Sequence, residues 1–233
     1  MLFRSVSSAI SYTDGNGGGY TAQNIASTGV TGLTASIAAG TLASGAGMLS
    51  YTITGTPSAA GTASFAITLG GQTCTFTRTV LPVGSISALN CGGAIHSGIL
   101  TSELEASGVS SDISYTGGNG GTFSAQSITS TGVTGLTATL AAGILSNGAG
   151  TVTYTITGTP SVSGTASFAI TLGGQTCTFT RTVYLVGSIT ALNCIDAIHN
   201  GVLTSGSAAS GVSSDISYTG GNGGSYTAQS IAS

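Results

Sequence analysis

From Thr151 to Gly158 the chain alternates, with Val152, Tyr154 and Ile156 set apart by threonines. A period of two sends successive side chains to opposite faces of a half-buried strand. Thr165 to Leu172 and Gln175 to Val183 alternate in the same way around Gly173-Gly174, which predicts a hairpin closed by a two-residue turn. Cross-strand partners share a face, so this register sets Ile170 opposite Cys177 and Phe168 opposite Phe179. Cys177 is then expected to point into a core beside two phenylalanines. Further strands are predicted at Ser85 to Cys91, Gly108 to Tyr115, Thr122 to Thr129 and Gly135 to Leu140. No segment sustains a helical period, and short strands joined by Gly-rich turns predict an all-β sandwich.

The pattern repeats. VSSAISYTDGNGG from Val6 returns as VSSDISYTGGNGG from Val109 and from Val212, each 103 residues after the last. Tyr51 to Val80 recurs as Tyr154 to Val183 with two changes, Ala59 to Val162 and Ala60 to Ser163. A period near 100 residues is too long for a solenoid repeat and suits one immunoglobulin-sized sandwich per copy.

GLTATLAAGILSNGAGTVTYTITGTPSVSGTASFAITLGG carries a Gly158-Thr159-Pro160 turn, then Gly164-Thr165, then an alternating strand. This stretch resembles the Ig-like domains of bacterial surface proteins. The larger unit, with GGQTCTFTRTV followed by ITALNC, resembles the tandem repeats of very large cell-surface adhesins of gliding-type bacteria. The resemblance covers nearly everything after Ser5 and rests on structural motifs. It implies tandem immunoglobulin-like β-sandwich domains at an extracellular or cell-surface location. Placing the first strand at Ser85 to Cys91 gives a complete repeat over 84–186. Residues 6–83 then form a repeat lacking its first strand, and 187–233 the N-terminal part of a third. The short linker, Tyr184 to Gly187, predicts a semi-rigid rod.

Composition narrows the function. Charged residues are 4% of the chain, against about 25% in ordinary globular proteins. The cations are Arg4, Arg78 and Arg181, and net charge is -3, which excludes nucleic-acid partners. Mean hydropathy is +0.44, but no apolar run approaches the roughly 20 residues of a spanning helix, so no membrane insertion is expected. Met1–Ser5, MLFRS, has no counterpart in the later copies and reads as an adapter remnant, and the chain stops inside a motif at Ser233. Both suggest a fragment of a longer protein.

The candidates for chemistry are few. His96 and His199 each follow a cysteine by five residues, but the acids near them change between copies: Glu103 and Glu105 become Gly206 and Ala208, and Asp196 replaces Gly93. A Cys-His nucleophile needs an orienting third group, so these histidines read as loop or edge-strand residues. Thr13 to Tyr20 resembles a calcium or phosphate loop superficially. Its single Asp14 becomes Gly117 and Gly220, too few carboxylates for calcium, so a strand-connecting loop is expected. No Ser stands in a hydrolase elbow. The chain is expected not to be an enzyme and to carry no cofactor and no catalytic or metal residue. Tyr20, Phe123 and Tyr226 recur at one position and form either core or a small sugar-binding platform. The leading function is a structural or adhesive stalk whose partners are neighbouring repeats of the same chain. The alternative is a weak multivalent carbohydrate-binding module contacting cell-surface glycans, or other surface proteins.

Cys74, Cys91, Cys177 and Cys194 supply two thiols per period, which reads as a disulfide framework in an oxidising compartment. Free thiols and a metal site are the other readings, and a zinc site needs four ligands. Two connectivities are sensible. Cys177 with Cys194 joins neighbours whose connecting chain must run extended along two strands, tens of ångströms at about 3.3 Å per residue, beyond the disulfide limit near 7 Å. Cys91 with Cys177 joins the first and last strands of one sandwich, which commonly lie side by side in Ig-like folds. The expected bond is therefore Cys91–Cys177, with the partners of Cys74 and Cys194 outside this fragment.

Overall fold

Threonines alternating with Val, Ile and Tyr, and glycines at the turns, give strands throughout the described residues and mostly antiparallel pairing. The computed structural model describes residues 6–226 and 229–232. Met1–Ser5, read above as foreign, and Ser233 lie outside the described residues, as do Thr227 and Ala228. The chain divides into two units. One runs up to Gly84 and includes Asn119–Thr122; the other holds Ser85–Gly118 and the residues from Phe123 onward.

The first unit contains β1 (Val6–Asn16), β2 (Gln23–Ala26), β3 (Leu33–Ile37), β4 (Ser44–Gly55), β5 (Gly61–Leu69) and β6 (Gln72–Val80). One sheet has the order β1-β4-β3-β2, and the β5–β6 hairpin with Thr28–Gly29 forms another. Alternation puts Tyr51 and Ile53 of β4 and Phe65 and Ile67 of β5 into one buried cluster.

The second unit contains β7 (Ala88–Ser97), β8 (Val109–Asn119), β9 (Gln126–Thr129), β10 (Leu136–Leu140), β11 (Asn147–Gly158), β12 (Gly164–Leu172), β13 (Gln175–Tyr184), β14 (Ala191–Asn200) and β15 (Ser213–Thr219). A five-stranded sheet has the order β7-β8-β11-β10-β9. A four-stranded sheet places β13 between β12 and Leu100–Thr101, the latter running parallel to it. Ile113, Tyr154 and Ile156 from the first sheet share a core with Phe168, Ile170 and Phe179 from the second. The β12–β13 pairing sets Phe168 opposite Phe179 and Ile170 opposite Cys177, as the alternation and the Gly-Gly turn imply.

Two strands differ from the sequence reading. The first strand of the repeat is Ala88–Ser97 rather than Ser85 to Cys91. Ile86 is buried and its N–H donates to the Gly173 carbonyl at 3.1 Å, so Ser85 to Ser87 passes over the hairpin turn before joining the sheet. An irregularity between Asn90 and Ile95 absorbs the glycines and lets His96 and Ser97 pair with Ser111 and Ser110. Thr122 to Thr129 is two pieces: Thr122–Phe123 pairs with Gly143–Ile144, and Gln126–Thr129 joins the main sheet.

Candidate functional site

The seam between β7 and β13 holds the most concentrated chemistry. Strand alternation turns Cys91 and Cys177 inward from their two sheets, and the sulfurs are bonded with the Cα atoms 5.9 Å apart. Cys91 is buried and Cys177 half-buried, which fits a bond that fastens a core rather than one exposed to attack. Phe179, two residues on, is 1% exposed and stacks on Phe168 with ring centroids 5.0 Å apart.

The next inward position is Arg181, 5% exposed. Its guanidinium donates at 2.6 Å to the carbonyls of Gly98 and Ser110, at 3.2 Å to Ser97, and more weakly to Ser111 Oγ. A buried cation thus sits in a cradle of backbone carbonyls that ties the last strand to β7 and β8. Burial pulls its pKa down from the ordinary value, and Tyr184 partly opposes this. His96 Nδ1 lies 2.9 Å from Ser111 Oγ. Its pKa is lowered by desolvation first and by the Arg181 charge second, so it favours the neutral form. His96, Ser111 and Arg181 thus link β7, β8 and β13 through one cluster of hydrogen bonds. Arg181 was legible and missed: Cys177 and Phe179 were assigned inward, and the same period carries Arg181 inward with them.

The remaining candidates scatter. His199 Nδ1 approaches Ser214 Oγ at 2.8 Å on an exposed strand pair. Cys74 and Cys194 are exposed free thiols. No three of His, Cys, Asp and Glu gather at one point among the described residues. Tyr20 and Phe123 are half-buried and pack against the two cores, while Tyr226 is exposed. The glycine loop does something not read from sequence: it clasps the linker. Asn222 Nδ2 donates to the Val186 carbonyl at 2.7 Å, while Gly187 N–H donates to the Ser225 carbonyl at 2.6 Å. The same bonds recur 103 residues earlier, Asn119 to Val83 at 2.9 Å and Gly84 to Thr122 at 2.7 Å. A Cβ on Gly121 would meet Gly84 N and the Pro82 carbonyl oxygen at 2.7 Å, so this close approach requires glycine.

No family model, curated protein or solved structure matches the chain.

Proposed function

We propose that the chain is part of a structural or adhesive stalk built from tandem immunoglobulin-like sandwiches at a bacterial cell surface. The observation that carries this reading is the linker clasp. A side-chain amide and two backbone bonds fix the residues that join successive repeats, and the set occurs at both linkers. A spacer gains nothing from a free joint, and these bonds hold a four-residue link that would otherwise be free to bend. The disulfide supports an oxidising, extracellular setting. No helix among the described residues is long and apolar enough to cross a membrane.

Small-angle scattering on a chain of four complete repeats tests the stalk. Strands of 8–10 residues predict an advance of roughly 30–40 Å per copy. A compact particle whose maximum dimension fails to grow with repeat number overturns the reading. The other reading, a weak glycan site in each copy made strong by avidity, has Tyr226 as its exposed aromatic. Binding of one isolated repeat on a glycan array would favour it.

A further inference from the structure

The glycine loop that clasps each link contains an asparagine followed directly by a glycine. Asn119 precedes Gly120 and Asn222 precedes Gly223, at equivalent positions 103 residues apart. The Asn222 amide is held at both ends. Its Nδ2 donates to the Val186 carbonyl at 2.7 Å, and its Oδ1 accepts the Ser188 and Gly224 N–H groups at 2.9 and 3.0 Å. Asn119 Nδ2 donates to the Val83 carbonyl at 2.9 Å, and its Oδ1 accepts the Gly121 N–H at 3.0 Å. Both asparagines nonetheless face water.

Asparagine before glycine is chemically reactive, because glycine has no Cβ to shield its backbone nitrogen from the neighbouring side chain. The Gly120 nitrogen attacks Asn119 Cγ, and the C–Nδ2 bond breaks as the ring closes to a succinimide. The proton from the Gly120 nitrogen leaves with Nδ2 as ammonia. Water then opens the ring at either carbonyl, giving aspartate or isoaspartate. One water enters, one ammonia departs, and nothing is oxidised or reduced. The product does not restore the clasp. An ionised carboxylate accepts hydrogen bonds and donates none, so an oxygen now faces the Val83 carbonyl where Nδ2–H stood. Isoaspartate also lengthens the main chain by one carbon just before Gly121, which packs against Gly84 with no room even for a Cβ.

We propose that Asn119-Gly120, and its equivalent Asn222-Gly223, are self-modification sites controlled by the clasp they build. While the clasp is closed, its hydrogen bonds hold both the leaving nitrogen and the carbonyl oxygen of the amide. Local opening releases that amide, the succinimide forms, and the link does not close again. Each link thus passes one way, from held to free, and aspartate or isoaspartate marks the links that have opened. Asn147-Gly148 supplies the contrast within the same chain. It is exposed, and an added Cβ on Gly148 would find nothing within 4 Å. The control rests on the same clasp as the stalk reading, but its readout is a covalent change and not a particle shape.

The test incubates the full chain in mildly alkaline buffer and follows each asparagine by peptide mapping and mass spectrometry. Asn119 is expected to deamidate about tenfold more slowly than Asn147, the protection given by one or two net hydrogen bonds. Gly121→Ala pushes the loop off Gly84 and leaves the reacting dipeptide intact. It should raise the Asn119 rate about tenfold without changing that of Asn147. Asn119→Asp reads the consequence independently, should Gly121→Ala not fold. In that variant the Gly84 N–H, which donates to the Thr122 carbonyl, should exchange with deuterium about tenfold faster than in the parent. Equal parent rates at Asn119 and Asn147 would overturn the proposal. So would an Asn119 rate indifferent to Gly121→Ala, or unchanged Gly84 exchange in Asn119→Asp. An extended particle in which Asn119 reacts as fast as Asn147 would keep the stalk and remove the control. A compact particle with a protected Asn119 would do the reverse.

Discussion

Removing Arg181 strips donors from the carbonyls of Gly98, Ser110 and Ser97 together, in part-buried bonds. Losing hydrogen bonds made by a charged donor costs about 1.5–3 kcal/mol. Arg181→Ala should lower the stability of the second unit by that amount in urea unfolding followed by circular dichroism. Arg78→Ala, at the exposed counterpart, should stay within about 0.5 kcal/mol. Equal effects would show that the carbonyl cradle contributes nothing. Tyr154 gives a second expectation. It is fully buried, donates to Gln126 Oε1 at 2.9 Å, and burial pushes its pKa from 10.0 up to about 12. A raised folded-state pKa contributes stability that is present below pH 10 and lost as pH rises through about 12. Alkaline titration should therefore show stability falling above pH 10, and Tyr154→Phe should flatten that fall. The Arg181 environment was readable in principle, because Cys177, Phe179, Arg181 and Val183 share one phase of a period-two strand. Charge counting obscured it, since a lone arginine suggests solvent until its phase is followed.

At the scale of the element, the β12–β13 hairpin was legible and the first strand only partly so. Nine alternating pairs around a Gly-Gly turn leave one register that buries Phe168, Ile170 and Phe179 together. The residues after Cys91, by contrast, are Gly92-Gly93-Ala94, which carry no alternation and read as loop. They form strand because β8 offers a free edge and the irregularity between Asn90 and Ile95 restores pairing beyond them. Tertiary pairing overrides weak local preference here. The glycine loop connects strands, as expected; its contact with the linker was not legible, because a single strand's pattern does not announce a distant partner. The hairpin turn yields a prediction. Gly173 and Gly174 both have positive φ, at 55° and 85°. Only Gly173 faces a neighbour, Ile86 N at 2.8 Å from an added Cβ; Gly174 faces open space. Left-handed strain costs about 1–2 kcal/mol at either site, and Gly173→Ala adds overpacking of about 1–3 kcal/mol. Thermal melts should rank Gly173→Ala well below Gly174→Ala, and equal melts would mean that Ile86 does not cross the turn.

At the scale of the whole molecule, two copies of one sequence differ chiefly in whether a covered first strand and a covalent bond are present. In the second unit the bond joins residues 86 apart. Closing a loop of that length restricts the unfolded chain and stabilises the folded unit by about 4–5 kcal/mol on the chain-entropy estimate. The first unit has Cys74 as a free thiol and carries no such constraint. Its Phe76 stacks on Phe65 at the same 5.0 Å as Phe179 on Phe168, so the packing inside the two hairpins is matched. Reduction should therefore act on one unit alone. In hydrogen exchange, adding a thiol reductant should raise exchange in β7, β12 and β13 and leave β4 and β5 unchanged. Cys91→Ser should reproduce the effect without reductant, which separates loss of the bond from any other action of the thiol. The difference between the units should also shrink, because what remains to distinguish them is the burial supplied by β7. If reduction loosens both units equally, the contrast between them does not arise from the bond, and the covered first strand must account for all of it.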